Sequence, residues 1–243
     1  MLAEFSLYQS IAIALLFVWT GFVRTGLGFG GAALGLPLLL FISNQPIFWL
    51  PIISVHLLFF SSLTLFTQLN NVDWTYLRRA SIYIMPPAII GVFGLVTMPA
   101  LWLNIFIYTI TLFYGVMWFM NFVIQSHHNW VDKVLLVLLG GYIAGTSLTG
   151  APLMVAVFMR KVRREQLRDT LFVLWFVLVA IKMSTFMMLK VELHFLTALS
   201  LLPIAAVGHF LGLKAHQSIV KNDKTFKRWL GGGIVLVSTL GLG

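Results

Sequence analysis

The chain contains no cysteine in its 243 residues. That absence excludes disulfides, Cys-based metal sites and thiol catalysis. Charge is almost as scarce: seven acidic and sixteen basic residues make up 9% of the chain, against roughly 25% in soluble domains. Neither a Walker A segment nor a Gly-rich nucleotide loop occurs, which argues against ATP-driven pumping by this chain alone. No stretch between the apolar runs is long enough to fold as a separate soluble domain. The first 23 residues lack a basic n-region, since Glu4 is the only charge before Arg24, and show no clear cleavage motif. A signal peptide is therefore not expected.

What is present is apolar. Hydrophobic residues make 60% of the chain and the mean hydropathy is +0.97. Runs long enough to cross about 30 Å of hydrocarbon recur along nearly the whole length. The expected fold is all-α, a polytopic membrane helix bundle. Eight spans are read at roughly 7–43, 46–69, 77–98, 101–124, 133–159, 167–189, 195–215 and 227–243. They form two four-span repeats, 1–124 and 133–243, within one integral membrane domain.

The division into repeats rests on a glycine ladder that occurs twice. Gly21, Gly26 and Gly31 answer Gly140, Gly145 and Gly150 at an offset of 119 residues, and the same shift pairs Ala32 with Ala151 and Val72-Asp73 with Val191-Glu192. A shared offset over so much chain signals a duplicated unit. The first ladder holds six glycines in the 15 positions from Gly21 to Gly35 and closes on Pro37. Each glycine weakens a helix by about 1 kcal/mol, so a broken helix is expected. The second ladder, Gly140 to Pro152, repeats the plan with hydroxyls replacing some glycines. Unwound backbone survives in hydrocarbon only inside the protein or along a wet cavity. Half-helix starts with exposed N–H groups suit an anion with several acceptor oxygens.

The candidate binding set is therefore Arg24, Thr25, Gly26, Gly28, Gly30 and Gly31 from the first ladder, with Gly145, Thr146, Ser147, Thr149 and Gly150 from the second. Lys182 joins it as a second cation inside a predicted span. Intramembrane cations cost about 2.5–3.5 kcal/mol on insertion scales, and no acid neighbours either one in sequence. A permeating anion would supply the partner; snorkelling to an interface is the alternative. His56 and His209 fall within spans and are candidates for a proton relay, although a neutral histidine bonded to a carbonyl is the commoner case. His127-His128 reads as interfacial, and Trp49, Trp74, Trp102, Trp130 and Trp229 as an aromatic belt. Close packing through small residues is the competing account of the ladders. It does not require Pro37 and Pro152.

Ten of the sixteen basic residues fall in the segments 160–168 and 214–228. Eight full crossings put both on one side, which the positive-inside rule makes cytoplasmic. Arg78, Arg79, Lys133 and Lys190 then fall outside, against the trend. The ladders are expected near mid-membrane with the anion between them. Four complete crossings per half make the copies parallel, whereas a re-entrant ladder would invert them.

The Gly-rich, Pro-terminated first segment, together with Gly145-x4-Gly150-Ala151-Pro152 and the basic stretch after it, resembles the sulfite exporter TauE/SafE family of membrane permeases. That resemblance implies a bacterial inner-membrane transporter of small sulfur-containing oxyanions, sulfite or organosulfonate in class, and not an enzyme. A secondary, ion-gradient-driven carrier is expected, without cofactor or metal. Its partners would be the anion and the lipid bilayer, not nucleic acid; homo-oligomerisation is left open. Two other readings remain: a passive anion channel, and an intramembrane serine protease using Ser147 and His209.

Overall fold

A computed structural model describes residues 5–27, 31–122, 129–134, 140–221 and 223–243. Among the described residues the chain is helical, with eleven α-helices. They are α1 (Leu7–Leu27), α2 (Gly31–Leu40), α3 (Pro46–Gln68), α4 (Trp74–Thr97), α5 (Ala100–Phe119), α6 (Asn129–Val134), α7 (Ile143–Ser147), α8 (Ala151–Lys161), α9 (Arg164–Met188), α10 (Phe195–Lys221) and α11 (Asp223–Leu242). Six are long and apolar enough to cross a bilayer: α1, α4, α5 and α9, and the segments Pro46–Leu63 and Phe195–His216. Helix starts follow local chemistry. Asp73 accepts from the Tyr76 N–H at 2.9 Å and so caps α4, as its place before the third span suggests.

The chain forms two compact units: residues 1–49, 99–123 and 194–243, and residues 50–98 and 124–193. Each draws on both halves of the sequence.

In the first unit α1 and α10 run side by side in the same direction. Gly208 lies against Val18 and Phe22, and Gly212 against Phe22 and Gly26, so four residues along one helix match four along the other. A Cβ on Gly21 would run into the Ala205 carbonyl. The second unit repeats this contact between α4 and α7. A Cβ on Gly145 would meet the Ala88 carbonyl, and one on Gly91 would meet the Tyr142 carbonyl and the Thr146 N–H. In both contacts one glycine faces an alanine carbonyl, and a second, three residues on, faces the other helix. Gly21 thus plays the part of Gly145, five residues away from the pairing that the 119-residue offset gives.

The broken spans reverse direction. Gly31 packs on Thr20 and Arg24, and Gly35 on Thr20. In one straight helix Gly31 and Thr20 would stand about 16 Å apart. The second ladder reverses too. Gly150 sits against the Ala144 N–H and the Gly140 carbonyl, and α8 returns until Arg160 and Lys161 pair with Asp132 at 2.6 and 3.2 Å. The sequence read each ladder as one broken crossing; each is a hairpin of two limbs. Both reversals lie beyond the midpoint of the helix alongside. Gly26 is level with Gly212, and Thr146 with Gly91, each the eighteenth residue of its helix and so about 25 Å along it.

Reversal also regroups the charges. At one end of the second unit Asn71 bonds Asp169 at 2.6 Å and the Glu165 carbonyl at 2.7 Å, and the Asp73 N–H donates to Thr170 at 3.0 Å. Arg78 and Arg79, in the first turns of α4, therefore share this end with Arg160, Lys161, Arg163, Arg164 and Arg168, as does Lys133 beside Asp132. Trp49 departs from the expected belt: it is fully buried and donates to the Ser43 carbonyl at 3.0 Å. Trp74, Trp102, Trp130 and Trp229 are exposed, as anchors should be. His127 and His128 lie outside the described residues.

Candidate functional site

Each reversal carries a polar cluster in otherwise apolar surroundings. In the first unit Arg24 occupies the last turn of α1, buried with Thr25 and Gly26. Thr25 Oγ1 and His209 Nδ1 stand 2.6 Å apart. One turn-pair further along α10, His216 Nδ1 lies 2.7 Å from the Gly26 carbonyl oxygen. A carbonyl only accepts, so His216 carries its proton on Nδ1. The bond satisfies one of the carbonyls that α1 leaves open where it stops at Leu27. His216 was not anticipated from the sequence. Its signal was the seven-residue spacing from His209, two helical turns that put both rings on one face.

Gly31 opens α2 where a side chain could not fit: a Cβ would stand 2.9 Å from both Arg24 Cβ and the Thr20 carbonyl oxygen. Gly28 and Gly30 lie outside the described residues. Pro37 falls within α2, and its carbonyl accepts from Tyr108 Oη at 3.1 Å.

In the second unit a wider π turn at 140–142 leads into α7. Thr146, Ser147 and Thr149 have no exposed surface. Thr146 donates to the Tyr142 carbonyl at 2.8 Å and Ser147 to the Ile143 carbonyl at 3.1 Å, and Ser147 Oγ lies 2.5 Å from Thr149 Oγ1. These protons are directed at backbone or at a neighbouring hydroxyl. The groups left for an anion at this reversal are N–H groups at the start of α8, where Pro152 occupies the first turn. Between the limbs, Leu148 stands at φ 59°, ψ 5°. That left-handed conformation costs a branched residue about 1–2 kcal/mol. Gly150 tolerates nothing larger, because a Cβ would lie 2.7 Å from the Ala144 nitrogen.

Lys182 is buried on α9 at 1% exposure, and its Nζ has no hydrogen-bond partner among the described residues. Its side chain does not reach the surface. His56 is buried on α3. The structure thus joins Arg24, Thr25, Gly26, Gly31 and His209 in one cluster, and Gly145, Thr146, Ser147, Thr149 and Gly150 in another. Asp132 and Asp169, which are 6% and 3% exposed, do not stand out in the sequence. Both sit close to helix starts, where an acid reads as an ordinary end charge. No cluster of metal-ligating side chains occurs among the described residues.

A family model described as Sulfite exporter TauE/SafE matches residues 13–240, and so takes in both ladders and nearly all of the helical chain. No curated protein and no solved structure gives a significant match.

Proposed function

The chain belongs to the sulfite exporter TauE/SafE family, and we propose that it is a secondary transporter of small sulfur-containing oxyanions in the sulfite or organosulfonate class, driven by an ion gradient. It is an integral membrane protein of a transporter family. The observation that carries the proposal is the Lys182 amino group, buried without a hydrogen-bond partner among the described residues. A buried charge costs several kcal/mol unless something compensates it, and a passing anion is the compensation that a transporter of anions has to hand. Arg24, buried at the first reversal, is the second cation of the candidate set. Thr25 and the glycine-lined turns complete it, together with the Thr146, Ser147 and Thr149 cluster. Hydroxyls there reach an anion by releasing the carbonyls they now hold. His209, held by Thr25 beside Arg24, is the proton-relay candidate, with His56 as a second.

The positive-inside rule assigns the basic segments 160–168 and 214–228 to the cytoplasm of a bacterial inner membrane. The regrouping of Arg78, Arg79 and Lys133 with the first of these supports that orientation. The first hairpin opens at the end of its unit opposite the 214–228 segment, and the second opens at its own basic end.

The protease reading has less support. Ser147 donates to Ile143 and neighbours Thr149, while His209 Nδ1 is taken by Thr25. A channel would equilibrate the anion without accumulating it. Proteoliposomes given an imposed proton gradient test the reading through uptake of radiolabelled sulfite. Wild type should accumulate it, and Lys182→Met and Arg24→Ala should fail while still inserting. Full activity in both variants would remove the two cations from the mechanism.

A further inference from the structure

The α5–α11 face of the first unit carries a feature that transport does not use. A groove of about 720 Å³ opens there, lined by Lys224, Arg228 and Asn121 near the start of α11 and the end of α5, and by Phe119, Trp229 and Gly233. Arg228 lies over the Phe119 ring, 5.6 Å from its centroid. Among the described residues, none that lines it is acidic. A second groove of about 250 Å³ shares Trp229 and Gly233, and runs deeper between Leu34, Leu38 and Val237.

The three consecutive glycines of α11 show what shapes these grooves. A Cβ on Gly231 would strike the Phe119 nitrogen at 2.6 Å and the Gly115 oxygen at 2.7 Å, so that glycine lets α5 and α11 touch. Gly233 has no such role, since a Cβ there meets nothing within 4 Å. Glycine in mid-helix costs about 1 kcal/mol relative to alanine, and packing within the chain does not account for it here. Its effect is a smooth trough that crosses between the two grooves. From Lys224 to Val237 the track is about 20 Å long, close to the reach of an acyl chain in one leaflet.

We propose that this groove is a binding site for one diacyl phospholipid of net negative charge, its headgroup on Lys224 and Arg228 and its two chains passing either side of Gly233. Basic pockets between membrane helices on the cytoplasmic side suit anionic headgroups, and the 214–228 segment is basic. A second copy of this chain is a poorer occupant. A two-fold contact centred here would bring Lys224 and Arg228 up against their own counterparts.

Native mass spectrometry of protein released from nanodiscs of equal parts dioleoyl phosphatidylglycerol and dioleoyl phosphatidylcholine tests the site. Wild type should retain one phosphatidylglycerol. Lys224→Gln with Arg228→Gln should lower the preference for phosphatidylglycerol over phosphatidylcholine by about thirtyfold. Gly233→Leu should lose both lipids at unchanged thermal stability, because its side chain enters open space. Retention of the two lipids in their bulk ratio by wild type would overturn the proposal. So would wild-type retention by Gly233→Leu, or a dimer that this substitution splits. Should Gly233→Leu not purify, the double variant decides alone.

Discussion

Gly145→Ala should loosen the second unit, and the structure gives the size of the effect. The new Cβ would stand 2.8 Å from the Ala88 carbonyl carbon and 2.9 Å from its Cα, where ordinary contact begins near 3.4 Å. All three nearest atoms are backbone, so no side chain can swing away. The Ala88 carbonyl oxygen is nearer still, so helices α4 and α7 must part by about 1 Å or more. Overpacking of this kind costs about 1–3 kcal/mol, while alanine recovers about 1 kcal/mol of helix propensity. Net destabilisation of up to about 2 kcal/mol follows, equivalent to a melting shift of roughly 4–8 °C in a chain of this size. Gly233→Ala is the internal control: it gains the same propensity and meets nothing, so it should melt at or slightly above wild type. Thermal unfolding in one detergent, followed by circular dichroism, reads both. Equal or higher stability for Gly145→Ala would refute the close helix contact on which the second hairpin rests.

Three further outcomes follow. Lys182→Met should raise the melting temperature while abolishing transport, because removing a buried unpartnered charge is favourable to folding; a lower melting temperature would mean that Lys182 has a structural partner. Asp132→Asn should weaken the closure between α6 and the end of α8, by about 1–3 kcal/mol for a buried carboxylate that loses its charge-assisted bonds. In the naturally cysteine-free chain, a single Ser147→Cys probe should then react faster with maleimide than in the Asp132 background. Thr25→Val should impair transport more than stability, since one hydrogen bond to His209 is worth about 1 kcal/mol; unchanged transport rates would take the Thr25–His209 pair out of the mechanism.

Much of this molecule was legible in the sequence, but not the sense of its turns. Six glycines and a proline announce that α1 cannot run straight through to Leu40, and the structure ends it at Leu27. Glycine removes the preference for helix without specifying the angle that follows. The reversal onto Thr20 and Arg24 depends on contacts between residues seven to fifteen apart, which no local pattern encodes. The charge distribution misled for the same reason. Arg78, Arg79 and Lys133 looked like exceptions because each ladder was counted as one crossing, and two limbs per ladder bring them to the basic end. Trp49 shows the limit of reading position as role: its place near a span end matches a belt residue, yet its indole is enclosed and bonded to Ser43. Among the binding candidates, the sequence left Arg24 and Lys182 open to snorkelling, and both are buried. The engagement of Thr146 and Ser147 with carbonyls one turn back was not legible, because a hydroxyl in a sequence does not show where its proton points.

The most direct test of the account is concentrative sulfite transport by the purified chain. Proteoliposomes with an imposed proton gradient should accumulate radiolabelled sulfite above the external concentration with wild-type protein, and Lys182→Met should show only background. Equilibration without accumulation in wild type, or undiminished accumulation by Lys182→Met, would contradict a carrier that holds its anion on a buried cation.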